Sequence, residues 1–129
     1  VKVIDSSALI KYVAKEEGWE KVEEHLKEGC LTVDLAVKET ANALVKKVLR
    51  NEVTVETAKE IVGRLPKIVR IIPQKEHLLK ALEIAVEHKI AVYDALFIAL
   101  SVNTNIPLLT SDDKQAEISK EYNVVVTLM

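Results

Sequence analysis

Five short apolar runs, at residues 1–4, 31–33, 68–72, 108–109 and 124–127, punctuate this chain, and stretches of helical periodicity fill the intervals between them. Consecutive apolar residues, rather than an alternation, are what a strand needs when helices cover both of its faces. Strands that alternate with helices indicate an α/β fold built on a parallel sheet, since parallel neighbours need a crossover long enough to hold a helix. The expected helices lie at about 6–28 with a break at Gly18, then at about 35–50, 54–65, 74–88, 92–102 and 112–121. Asp34 is placed to cap the helix from 35, Asn51 to end it, Pro66 to stop the next helix, and Pro73 to close the third strand. No linker, repeat or low-complexity segment interrupts the pattern, so residues 1–129 read as a single domain.

Composition narrows the class. Hydrophobic residues at 49% and charged residues at 29% suit a globular domain with a full core, which needs no disulfide or structural metal to fold at this length. Cys30 is the only cysteine, which excludes an internal disulfide and a thiolate metal cluster. It reads as a small buried apolar residue, in keeping with a reducing, cytoplasmic setting. No apolar run approaches the ~18 residues of a membrane span, and no basic stretch precedes an apolar one at the start, so no membrane association is expected. The net charge of −2 excludes a generally basic nucleic-acid binder. Any nucleic acid must be held by a local basic patch, by bound cations, or by both.

Ligands of parallel α/β sheets bind beyond the carboxyl ends of the strands. Four acids fall at or near that edge. Asp5 follows the first strand directly, Asp112 follows Leu109 by three residues, Glu39 lies early in the helix after the second strand, and Asp94 opens the helix at 92–102. Each also has an ordinary structural role to play. Asp5 and Asp112 can cap the helices that follow them, with Gln115 as a capping-box partner for Asp112, and Glu39 alone can be a surface glutamate. Asp94 is harder to explain that way, because its helix is apolar almost all round and must be buried.

Together the acids ask for a cation. Two unit charges ~4 Å apart repel by about 4 kcal/mol at an effective dielectric of ~20. Oxygen ligands without His or Cys suit a hard ion, Mg²⁺ or Mn²⁺, and such an ion activates water and stabilises charge on a phosphodiester. No Ser–His–Asp or Cys–His arrangement competes, and His25, His77 and His88 lie in helical segments without evident ligand partners.

The segments VIDSSAL at 3–9, VKETANAL at 37–44, YDALFIAL at 93–100 and PLLTSD at 107–112 resemble, in order and spacing, the four acidic motifs of PIN domains. The likeness covers nearly the whole chain and is greatest to the VapC-type toxins of toxin–antitoxin pairs. It implies a PIN-like three-layer α/β/α fold with a central five-stranded parallel sheet. It further implies Mg²⁺- or Mn²⁺-dependent endoribonuclease activity, a homodimer, and inhibition by a small antitoxin protein. On the matching positions it makes Asp5, Glu39, Asp94 and Asp112 the catalytic and metal-binding acids. Ser6 and Thr110 become supporting hydroxyls, and Asp113 an extra acid that assists or sits in the first turn of its helix.

Independently of that likeness, Lys46 and Arg50 fall within about 20° of Glu39 on a helical wheel, opposite the apolar stripe. There they either contact RNA phosphates or stand as solvated helix charges. Other reaction classes lack their residues. A phosphoacceptor receiver needs an aspartate ending the middle strand, where Ile72 stands, and a lysine after the last. A haloacid-dehalogenase-type phosphatase needs an aspartate where Ser7 stands, and no GxxxxGK[ST] loop is present. Two alternatives within the same fold are a stand-alone nuclease of RNA maturation and a non-catalytic protein-binding module.

Overall fold

The structure is a computed structural model that describes residues 1–129. Strand β1 (Lys2–Ile4) leads into α1 (Ser6–Val13) and α2 (Trp19–Glu28), and β2 (Cys30–Val33) into α3 (Leu35–Leu49) and α4 (Val55–Ile68). Strand β3 (Arg70–Ile72) is followed by a 3₁₀ turn (Gln74–His77), α5 (Leu78–His88) and α6 (Val92–Thr104). Then come β4 (Leu108–Thr110), α7 (Asp113–Lys120) and β5 (Val126–Leu128). All five strands are parallel in the order β3-β2-β1-β4-β5, so the expected α/β architecture with a five-stranded parallel sheet is the one observed.

That order makes β1 the pivot of the chain. From β1 the polypeptide runs outward to β2 and β3, then returns to the other side of β1 to add β4 and β5. Connections leave the carboxyl ends of β1 and β4 in opposite directions, which opens a crevice between them. Helix α6 fixes the floor beneath it. Ala95, Leu96, Phe97, Ile98, Ala99, Leu100 and Ser101 are all buried, and the helix packs on β1, β2, β4, α5 and α7. A helix this enclosed has no polar face, which is why its sequence is apolar all round. No helix is long and apolar enough to cross a membrane. Cys30 is buried, with its thiol directed at the His25 carbonyl.

The break expected at Gly18 is present, and Lys15 (φ 53°) and Gly18 (φ 90°) adopt left-handed backbone between α1 and α2. Three boundaries depart from the sequence expectation, each for a tertiary reason. Helix α4 runs through Pro66 to Ile68, which delays β3 to Arg70. The exposed proline removes one helical donor, but fully buried Leu65 and the Val69 N–H donating to the Leu65 carbonyl (3.0 Å) hold the last turn in place. The final strand begins two residues late, since the Val124 N–H is committed to the Ser119 carbonyl of α7 (3.2 Å) rather than to the sheet.

Asp34 is the third. It sits at the start of α3 with helical backbone (φ −59°, ψ −23°) and makes no capping bond. Its Oδ1 instead accepts from the Gln74 backbone N–H (3.1 Å), tying the start of α3 to the segment leaving β3. A bond from an amide to a charged acceptor contributes about 1.5–3 kcal/mol. Asp34→Ser, which keeps a good capping residue but is too short to span the gap, is therefore expected to lower stability by about 1–2 kcal/mol in urea unfolding. Asp34→Asn, which keeps the acceptor oxygen, should lose less than half of that; equal losses would return Asp34 to a capping role.

Candidate metal centre

Asp5 leaves the end of β1 with no solvent exposure at all. A carboxylate in such a place must be supplied with donors, and the local fold supplies three. As N-cap of α1, its Oδ1 accepts from the Ala8 N–H at 3.0 Å and from the Ser7 hydroxyl at 2.7 Å. Its Oδ2 accepts from the Thr110 hydroxyl, at the end of β4, at 2.5 Å. Capping and site membership, alternatives in the sequence, are thus the same geometry here. The hydrogen bonds do not fully offset the loss of water, and burial pushes the carboxyl up to about 6.

Asp112 lies just past β4 and caps α7, its Oδ1 accepting from the Lys114 and Gln115 N–H groups at 2.9 and 3.1 Å. The capping box does not close, because the Gln115 side-chain oxygen is buried without a partner. Asp94, in the first turn of α6, is half-buried and also raised, first by burial and then by the negative charge of Asp112, with Lys114 opposing. The charge of Asp112 also adds to the raising of Asp5. Asp5, Asp94 and Asp112 therefore share one electrostatic neighbourhood at the crevice between β1 and β4. Glu39 joins it through Ser6, whose hydroxyl donates to Glu39 Oε1 at 2.5 Å. Asp113 is exposed in the first turn of α7. None of the three histidines reaches this edge: His77 pairs with Asn103 (2.8 Å), and His88 lies between α5 and α7, 3.4 Å from Glu121.

No three acids or histidines close into a ready-made ion cage. Ser6 and the α7 amides hold the carboxylates of Glu39 and Asp112. The donor set still fits a hard cation. It is all oxygen, it contains a buried carboxylate and a half-buried one whose charged forms are disfavoured as they stand, and it sits where α/β sheets take ligands.

Sequence reasoning overlooked several neighbours. Ser7 contacts Asp5 and also accepts from the Ser111 N–H at 2.9 Å, a partner 104 positions away that no local pattern reveals. An open cleft of about 330 Å³ beside Glu39 and Ser6 is lined by Asn42, Lys46, Lys47 and Arg50. Lys46 and Arg50 thus flank the same cleft as Glu39, and neither makes an ion pair within the chain. A larger groove of about 630 Å³ between α3 and α4 is lined by Leu44, Val48 and Val62 among other apolar groups. None of the four acids lines it, and Lys59 is its one charged residue.

A raised carboxyl has a defined effect on stability. Between the ordinary value of 3.8 and about 6, folded Asp5 binds a proton that the unfolded chain releases. Stability from this group is therefore greatest below that window and falls as pH rises through it. In EDTA, the wild type should lose about 2 kcal/mol relative to Asp5→Asn between roughly pH 4.5 and pH 7.5, read from urea unfolding. A difference independent of pH would mean that Asp5 ionises at its ordinary value.

Residues 2–121 match the family model described as PIN domain. The chain is 32% identical over 120 residues to Ribonuclease VapC3 of Pyrobaculum aerophilum, spanning 89% of this chain and 92% of that protein. It is also 32% identical over 80 residues to Ribonuclease VapC1 of Mycobacterium tuberculosis, 60% of this chain and 59% of that one. The crystal structure of PAE2754 from Pyrobaculum aerophilum aligns with a TM-score of 0.72 at 22% identity, covering 97% of this chain and 89% of the other. A toxin–antitoxin complex from Klebsiella pneumoniae aligns at 0.62 with 14% identity, covering 89% of each chain. At such identities the two structures speak for the fold, while the match over nearly the whole sequence speaks for descent. The chain belongs to the PIN domain family.

Proposed function

We propose that this protein is a Mg²⁺- or Mn²⁺-dependent endoribonuclease, the toxin of a toxin–antitoxin pair, acting in the cytoplasm as a homodimer held in check by a small antitoxin. The observation that carries the reading is the grouping of Asp5, Asp94 and Asp112 at the crevice between β1 and β4, where burial and the charge of Asp112 disfavour the ionised forms of Asp5 and Asp94. Membership of the PIN family and a likeness to proteins named as VapC ribonucleases support RNA as the substrate and an antitoxin as partner.

In this reading Asp5, Glu39, Asp94 and Asp112 hold the metal directly or through water. The bound ion supplies Lewis-acid polarisation of the phosphate and a water nucleophile at neutral pH. The protein's own contribution is placement. Thr110 and Ser7 orient the Asp5 carboxylate, Ser6 orients Glu39, and the amides of α7 orient Asp112. Asp113 stands at the exposed rim as a further acid. Lys46 and Arg50 hold RNA phosphates along the cleft that opens beside Glu39.

A stand-alone nuclease of RNA maturation shares all of these features and differs only in lacking an antitoxin. A short upstream reading frame for a small DNA-binding protein would favour the toxin. A non-catalytic binding module is disfavoured by the strained acids, since a purely structural use has no need to bury a carboxylate at the cost seen for Asp5.

Purified protein is expected to cut single-stranded or looped RNA with Mg²⁺ or Mn²⁺ and to stop in EDTA. Asp5→Asn and Asp94→Asn should each lose at least about two orders of magnitude in rate, because activation of water by the metal contributes several kcal/mol. Cleavage undiminished in both variants would assign the activity to a contaminant or to another site. Separately, Lys46→Ala combined with Arg50→Ala should weaken RNA binding and flatten its dependence on salt, with metal affinity almost unchanged. If the salt slope stays as in the wild type, both residues are solvated helix charges and the phosphate path lies elsewhere.

A further inference from the structure

We propose that Ser7 is a positioning residue of the carboxylate site, one that gears the Asp5 carboxylate to the turn carrying Asp112. Its catalytic consequence rests on the ribonuclease reading above, while its structural basis is the geometry of the hydrogen bonds alone. Ionised Asp5 has no proton to give and accepts from both hydroxyls, Ser7 at Oδ1 (2.7 Å) and Thr110 at Oδ2 (2.5 Å). Each hydroxyl carries one proton, and both are then committed. The 3.3 Å approach of the Ser7 and Thr110 oxygens to each other is left as a contact with no proton to share.

With its proton spent on Asp5, each hydroxyl oxygen is free to accept, and each does so from the β4–α7 turn. The Ser111 N–H donates to Ser7 at 2.9 Å, and the Asp112 N–H donates to Thr110 at 2.9 Å. Two parallel arms result, each running from a backbone amide through a hydroxyl to one oxygen of the same carboxylate. Successive amides, 111 and 112, feed the two oxygens, and chains of this kind strengthen each member by polarisation. The Thr110 arm begins and ends beside the turn it holds. The Ser7 arm comes from the first turn of α1 and locks that turn against α1, so it sets where Asp112 stands relative to Asp5. Its neighbour Ser6, about 100° further back around the helix, serves Glu39 instead. Adjacent serines thereby place two different acids.

Ser7→Ala removes one donor from Asp5 and leaves the Ser111 N–H without its acceptor. Ser7→Thr keeps the hydroxyl at this half-buried position. Three measurements on the full chain test the proposal. In metal-free protein, Ser7→Ala should speed amide exchange at Ser111 by roughly tenfold or more while the amides of β2 and β3 keep their wild-type rates. In calorimetric titration with Mn²⁺ alone, the midpoint should rise at least about fivefold. In RNA cleavage, kcat should fall roughly 10–100-fold with KM within about twofold, and Ser7→Thr should restore all three readouts to within about threefold. Unchanged exchange at Ser111, a loss confined to KM, or failure of Ser7→Thr to restore Mn²⁺ binding would each overturn the role. If the wild type cleaves no RNA, the ribonuclease reading falls, and the exchange and Mn²⁺ measurements still decide the place of Ser7.

Discussion

Placing an aspartate at the end of the central strand, with no access to solvent, sets the terms for everything around it. A carboxylate removed from water is costly unless donors replace the lost hydration. The start of α1 offers the Ala8 amide and the Ser7 hydroxyl, and the end of β4 offers Thr110. These three donors come from segments more than a hundred residues apart, so the burial of Asp5 depends on β1 and β4 being neighbours in the sheet. The compensation is incomplete, which is why the group is raised to about 6 rather than lowered as a well-bonded surface cap would be. A site left in that condition is poised for a positive charge.

The remaining acids are brought to Asp5 by topology. The sheet reverses its order of growth at β1, so the turn after β4 diverges from the turn after β1, and Asp112 lies where they part. Helix α6 must lie across β1, β2 and β4 to bury its apolar circumference, and its first turn then delivers Asp94 to the same crevice. Glu39 arrives by another route, through a single bond to Ser6. Core packing and site assembly are thus coupled: the helix that holds the domain together also carries one of its acids.

Two grooves that share α3 divide along chemical lines. The cleft beside Glu39 carries Lys46, Lys47 and Arg50, while the larger groove between α3 and α4 is almost wholly apolar. Both are built from α3, whose opposite faces bear the two characters. A helix whose stripe meets α4 on one side and whose cations flank Glu39 on the other lets one element serve both surfaces.

Much of this was legible from residue order alone. Apolar runs without alternation specified a parallel sheet covered on both faces, and the enclosed character of α6 followed from its lack of a polar face. The four acids stood out because strand ends are where such sheets take ligands. These are local signals, written within a few residues of the positions that they describe. The tertiary structure alone decided the rest. Pro66 stays inside α4 because Leu65 is buried beneath it, and Asp34 forgoes its own helix to reach Gln74. Ser7 meets Ser111 across 104 positions, and Asp112 raises Asp5 and Asp94 only because β4 lies against β1 and α6. Periodicity and capping rules report what a residue does to its own segment. Which distant amide a hydroxyl accepts from, and how strongly two carboxylates repel, depend on distances through space that only the packed chain establishes.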